Sequence, residues 1–103
     1  MPKGYWIAHV DVHDEERYKD YLAANAGAFA KYGAEFAVRN GQSTQAEGSL
    51  PGNRHVVIAF PSYQAALDCY HSAEYAPAIA IRKDAANGNI LIIEGYEGPQ
   101  PGA

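Results

Sequence analysis

From residue 5 to residue 12 the chain reads Tyr-Trp-Ile-Ala-His-Val-Asp-Val. The alternation and the strand-forming residues predict a β-strand, whose side chains point in turn to opposite faces. The period then changes. Tyr18, Tyr21, Leu22, Asn25 and Phe29 recur at spacings of three and four, which marks one face of a helix. Asp14 is placed to cap that helix, Glu15 and Glu16 suit the positive end of its dipole, and Lys31 and Gly33 suit its end. A second strand is expected over residues 34–39. Asn40-Gly41 is a hairpin signal that predicts a return into a short extended piece over residues 42–47. A loop over 48–53 leads to a third strand over 54–60.

Ser62 reads as the cap of a helix carrying Ala66, Leu67 and Tyr70 on its apolar stripe, and His71-Ser72 breaks it. A further helix is expected over residues 74–86, with Pro77 tolerated in its first turn, and Asn87-Gly88 as its stop. A last strand is expected over 89–96. This order predicts an α+β fold, a ferredoxin-like split βαβ sandwich with an antiparallel sheet. Right-handed crossovers place the first and third strands at its centre. A single domain over residues 3–98 and a flexible Gly/Pro-rich tail over 99–103 complete the organisation.

Parity assigns the strand residues to two faces. Trp6, Ala8, Val10 and Val12 are apolar, as are Phe36, Val38, Val56, Ile58, Phe60, Leu91 and Ile93. This set is expected under the helices. The opposite set is mixed: Tyr5, Ile7, His9, Asp11, Glu35, Ala37, Arg39, His55, Val57, Ala59, Ile90, Ile92, Glu94 and Tyr96. Its apolar centre, Ile7, Val57, Ile90 and Ile92, lies beyond the reach of two helices. Left in water it would be among the largest patches a soluble monomer shows, so a homodimer through the sheet face is expected.

Charge and cysteine usage narrow the partners. Eight basic residues against twelve acidic ones give a net charge of −4. An acidic chain without a Lys/Arg cluster lacks the footprint of a nucleic-acid binder and the basic face that holds a protein to an anionic membrane. No apolar run reads as a signal peptide or membrane span. The single cysteine, Cys69, rules out an intramolecular disulfide and suits a cytoplasmic protein. It falls on an apolar helix face and is expected to be unreactive core.

The residues just read resemble a family. The matching text is Gly4-Tyr5-Trp6-Ile7-Ala8, Tyr18 and Tyr21, Val38-Arg39-Asn40-Gly41, Glu47-Gly48, Val56-Val57-Ile58 leading to Phe60-Pro61-Ser62, Tyr70-His71-Ser72, Glu74-Tyr75, and Ile93-Glu94-Gly95-Tyr96. Together these are similar to the family called domain of unknown function 1330. The resemblance implies a dimeric α+β barrel, in which two ferredoxin-like protomers pack sheet against sheet. That superfamily includes cofactor-free monooxygenases, polyketide cyclases, haem-degrading enzymes and chlorite dismutase-like proteins. The resemblance brings no agreed catalytic residues. Where the family pattern has an acidic residue just before Phe-Pro-Ser, this chain has Ala59.

Candidate chemistry collects on the mixed face. His9 and Asp11 share that face, and in an antiparallel pair His55 on the third strand comes near one of them. Asp11 is expected to lie closer to His55 than to the helices: with His9 opposite Val57, Asp11 stands opposite His55, whereas a two-residue slip would keep parity and set His9 opposite His55 instead. A carboxylate beside a histidine is an acid/base device and equally a structural pair. His9, Asp11 and His55 are the catalytic candidates. Arg39 suits an anionic group, with Glu94 as its alternative partner, and Tyr5 and Tyr96 suit ligand stacking. These four are the ligand-binding candidates. Two histidines and a carboxylate also make a metal-ligand set, but the spacing fits no metal motif, so no metal is assigned. No cofactor is assigned either: the chain carries no Gly-rich phosphate loop, no Ser nucleophile elbow and no Cys pair. Two function classes stay open. One is a cofactor-free enzyme or binder of a small aromatic or carboxylate-bearing metabolite. The other is a structural or ligand-holding dimer.

Overall fold

A computed structural model describes residues 2–102; Met1 and, from the expected tail, Ala103 lie outside the described residues. The elements are β1 (Gly4–Val12), α1 (Glu15–Lys31), β2 (Glu35–Arg39), β3 (Arg54–Phe60), α2 (Tyr63–Tyr70), α3 (Ala76–Ala85) and β4 (Ala86–Glu94). They form one antiparallel sheet in the order β2-β3-β1-β4, so β1 and β3 are central as expected. The helices cover one face.

Local chemistry sets the boundaries. Asp14 accepts from the Arg17 N–H at the start of α1, and Ser62 accepts from the Ala65 N–H at the start of α2. Each satisfies a donor that the first turn leaves without a helical partner. Gly33, at φ 73°, turns the chain out of α1 where a side chain would be strained. At the break between α2 and α3 the Ser72 hydroxyl donates to the Cys69 carbonyl and accepts from the Tyr75 N–H.

The core is aromatic. Trp6, 1 % exposed, meets the rings of Phe29, Phe60, Tyr70 and Tyr75 at centroid distances of 5.1 to 5.7 Å. Its indole N–H donates to the Ala66 carbonyl at 2.9 Å, so the one polar atom of the ring is satisfied. Cys69 is fully buried, and burial, with the Glu74 charge adding to it, pushes its thiol up to about 12. Tyr63, the first residue of α2, is 38 % exposed, so its ring lies outside this core.

Four expectations are corrected. Asn40-Gly41 makes no hairpin, and residues 42–47 form no strand. Asn40 takes a left-handed conformation (φ 53°), its N–H donates to the His55 carbonyl, and its side chain accepts from the His55 N–H. It closes the β2–β3 edge, and the chain to Asn53 is an exposed loop. Asn87-Gly88 does not stop α3; the chain passes directly into β4 at Ala86. A bulge lies between Phe36 and Val38: Phe36 pairs with Ile58, but Val38 pairs with Val57 and Arg39 with Val56. The extra residue reverses parity, moving Val38 to the open face and Arg39 to the side of Phe36. On β4 parity is inverted throughout. Ile90 and Ile92 pair with Ala8 and Trp6 and pack on the core, while Leu91 and Ile93 pair with Ile7 and Tyr5 on the open face.

Candidate functional site

No helix covers the face that carries Tyr5, Ile7, His9 and Asp11 of β1. The opposing register adds His55, Val57 and Ala59 of β3, Val38 of β2, and Asn89, Leu91 and Ile93 of β4. The apolar stripe is therefore Ile7, Val38, Val57, Leu91 and Ile93. Ile90 and Ile92, expected here, are replaced by their neighbours. In the single chain Val38 is 45 %, Ile93 44 % and Leu91 56 % exposed.

His9 and His55 meet at the end of this stripe. They are directly opposed, and their Nδ1 atoms lie 2.8 Å apart, with the rings at 65°. The expected Asp11–His55 contact is overturned by the two-residue offset. The β1–β3 ladder runs from Gly4↔Phe60 to Val10↔Arg54, so Asp11 lies past its end, exposed, opposite Asn87 of β4. The offset is held by Asn53, whose N–H donates to the Val10 carbonyl while its side-chain oxygen accepts from the Val12 N–H. A hydrogen bond between two Nδ1 atoms requires one ring to donate and the other to accept.

The other candidates disperse. Tyr5 lies on the open face, opposite Ala59 and Ile93. Arg39 stacks its guanidinium 4.2 Å from the Phe36 ring centroid, on the other side of the edge strand. Glu94 shares the parity of Ile90 and Ile92 and ends β4 opposite Gly4. Tyr96 follows β4, 70 % exposed, its hydroxyl donating to the Pro99 carbonyl. Arg39 and Glu94 therefore leave the inner sheet face, because the bulge and the β4 register each shift parity by one residue.

Two arginines on the covered side were not singled out by the sequence reading. Arg54 and Arg82 line one cavity beneath α1 and α3, together with Trp6, Tyr18, Tyr21 and Asn25. Arg82 is 6 % exposed, and its Nη1 donates to the Tyr75 hydroxyl at 2.9 Å. That oxygen is 2.6 Å from the Tyr21 hydroxyl. Arg54 faces the Tyr18 ring at 5.4 Å, and its Nε is buried without a partner. Burial is the largest influence on the Tyr75 and Tyr18 hydroxyls and raises both, with Tyr21 adding and the nearby guanidinium groups opposing, so both stay neutral. A signal existed for each arginine. Arg54 shares parity with Val56, Ile58 and Phe60, and Arg82 falls at helical spacing from the buried Ala78 and Ala85.

Sheet order, register and the one-sided helix layer define a ferredoxin-like α+β fold with one open sheet face. The family model for the domain of unknown function DUF1330 matches residues 3–96, and the chain belongs to that family. No curated protein matches it. Among solved structures it is similar to the RPA0582 protein of unknown function from Rhodopseudomonas palustris, with a TM-score of 0.74 at 14 % identity over 94 % of this chain and 85 % of that one. It is also similar to SnoaB, a cofactor-independent oxygenase from Streptomyces nogalater, with a TM-score of 0.65 at 14 % identity over 98 % of this chain and 99 % of that one. At such identity the likeness is one of fold. Among the described residues no helix is long and apolar enough to cross a membrane, and no cluster of three or more His, Cys, Asp or Glu side chains is placed to hold a metal ion.

Proposed function

We propose that the protein is a cytoplasmic homodimer whose two copies cover each other's open sheet face, and that the enclosed His9–His55 pair transfers protons on a small aromatic or carboxylate-bearing metabolite without a bound cofactor. The observation that carries the reading is the 2.8 Å contact between the two Nδ1 atoms, set at the end of an exposed apolar stripe. A contiguous apolar face of this kind marks an interaction surface. A second copy presents the same stripe, and a two-fold axis makes such a surface complementary to itself. Within the enclosure, one imidazole donates while the other accepts, so a proton taken up at one ring can be released from its partner. Tyr5, on the same face, offers its ring for stacking, and Asp11 stands at the margin of the pair. SnoaB supports the chemical class by analogy of fold alone.

The test has two arms. Light scattering at micromolar concentration is expected to give twice the chain mass, and a monomer overturns the dimer. Mass spectrometry of metabolites that co-purify with the native protein supplies substrates for turnover assays. His55→Gln is expected to lower turnover about a hundredfold, the usual scale for a positioned acid or base. Unchanged turnover in an intact dimer would leave a protein that only holds its ligand.

A further inference from the structure

We infer that the cavity beneath α1 and α3 is a binding site for the carboxylate of a small organic acid, held by Arg54, Arg82 and Asn25. This site lies across the sheet from the histidine pair and stands whether or not that pair does chemistry.

A buried guanidinium is normally paired with an anion, because removing it from water is costly. Among the described residues, neither Arg54 nor Arg82 makes an ion pair with a carboxylate. The tyrosines around them supply ring faces and hydroxyl oxygens but no negative charge, since Tyr75 and Tyr18 are held neutral. Arg82, buried, and Arg54, half-buried with its Nε enclosed, therefore share one cavity without a counter-ion.

Unused hydrogen-bonding capacity points the same way. The Arg54 Nε is buried and unpartnered. Asn25 is 5 % exposed and lines the same cavity. Buried polar groups are nearly always satisfied, so the Arg54 donor is open to a guest. Guanidinium and amide groups together match the planar, two-oxygen geometry of a carboxylate.

Size and access agree. The cavity leaves about 30 Å³ open to the centre of a water-sized sphere. A water needs about 10–15 Å³ by that measure, so the space suits about two oxygen atoms. The rest of the molecule has a place outside. An open cleft of about 450 Å³ adjoins the cavity, sharing Tyr18, Leu22 and Arg54 with it and adding Glu15, Lys19, Asn40 and Asn53, so that one carboxylate and one ammonium stand at its wall. Its volume is in the range of small-metabolite sites. Arg54 thus spans both compartments, with the acid head inside and the body in the cleft. Gly88 keeps the room that Arg82 needs, because a Cβ there would stand 3.3 Å from its Nε.

The experiment compares acids with their neutral amides. Acetate, benzoate and phenylacetate, each at millimolar concentration, are titrated into the full chain by calorimetry and thermal shift beside acetamide, benzamide and phenylacetamide. At least one acid is expected to bind and raise the Tm, and its amide to bind at least tenfold more weakly. Arg82→Met and Arg54→Met are expected to weaken binding of that acid at least tenfold. Arg82→Met should keep or raise the ligand-free Tm, since an unpaired buried charge is replaced by an apolar group, and Arg54→Met, at a half-buried position, should leave the chain folded. Gly88→Ala, which crowds Arg82 and leaves both charges in place, should weaken binding with the fold intact. No response to any acid overturns the site, as does equal binding of acid and amide or full binding by a folded Arg82→Met or Arg54→Met chain.

Discussion

Arg54 and His55 are neighbours on β3 and point to opposite faces of one sheet, and each ends in a different kind of place. Arg54 enters the helix-covered side, among Trp6, Tyr18 and Tyr21, where its charge is dissolved in aromatic surface. His55 stands on the open side beside His9, next to apolar side chains that no helix covers. On the covered face the contacts that hold the chain together are already made within one copy. On the open face they are still to be made. Substitutions on the first should therefore act on folding, and those on the second on assembly.

The sharpest way to break that contrast is to cut the same strand on both sides. Trp6→Ala removes the ring at the centre of the core and is expected to destabilise the chain by about 3–5 kcal/mol, measured by urea denaturation. Tyr5→Ala, one residue away on the open face, is expected to cost under about 1 kcal/mol in the protomer. Equal losses would mean that the two faces are not different in kind. Adjacent residues of β4 give the next largest effect. Ile92→Asp places a charge against the core and should cost about 3 kcal/mol or more, enough to unfold a marginal chain. Leu91→Asp should leave the circular dichroism spectrum of the protomer unchanged and abolish the dimer by light scattering. A folded Ile92→Asp variant with an intact dimer would reverse the assignment of faces.

β4 also shows what the sequence could and could not reveal. On β1, His9 and Asp11 alternate with Ala8, Val10 and Val12, so the faces are legible from contrast alone. On β4, Ile90, Leu91, Ile92 and Ile93 are all apolar, and alternation carries no contrast; only the pairing of Ile92 with Trp6 decides it. The bulge between Phe36 and Val38 is invisible for a related reason, since one added residue leaves composition untouched while it exchanges Val38 for Arg39. The His9–His55 contact needed the register, which Asn53 sets through bonds from a loop that has no periodicity. Fold class, strand order and most helix boundaries were readable because caps and periods are local. The arginine cavity was hidden by its own chemistry: Arg82 on an apolar helix face looks like a surface residue until Tyr75 and Tyr21 close around it.

Cys69 offers a gentler probe of the covered side. It is fully buried, and its thiol is pushed up to about 12, chiefly by burial. The thiolate is the reactive form, so at pH 8 the native chain should be alkylated far more slowly than the urea-unfolded chain. The native rate should follow the unfolding equilibrium through a urea series. Rapid labelling without denaturant would show that the helix layer opens independently of the sheet.

The smallest effect is expected on the outer surface of the helices, where Lys31 donates to Glu74 at 2.7 Å and ties the end of α1 to the turn before α3. The hydrogen bond to Lys31 holds the Glu74 carboxyl below its ordinary value, and the same bond raises Lys31. The signs follow from linkage. For Glu74 the stabilisation is present above the unfolded value of about 4.3 and is lost as pH falls through the lower folded value. For Lys31 it is present below about 10.4 and is lost as pH rises through the higher folded value. Between those limits it is constant. Both side chains are largely exposed, so the pair is screened by water and salt and stabilises the chain weakly. Glu74→Gln should lower the Tm slightly at pH 7, and the difference from wild type should begin to shrink as pH falls below about 4.3, disappear in stronger acid, and fade in 1 M salt. A Tm loss as large as that of Trp6→Ala, or one that persists in acid, would place part of the folding energy on a surface where the two-face contrast puts almost none.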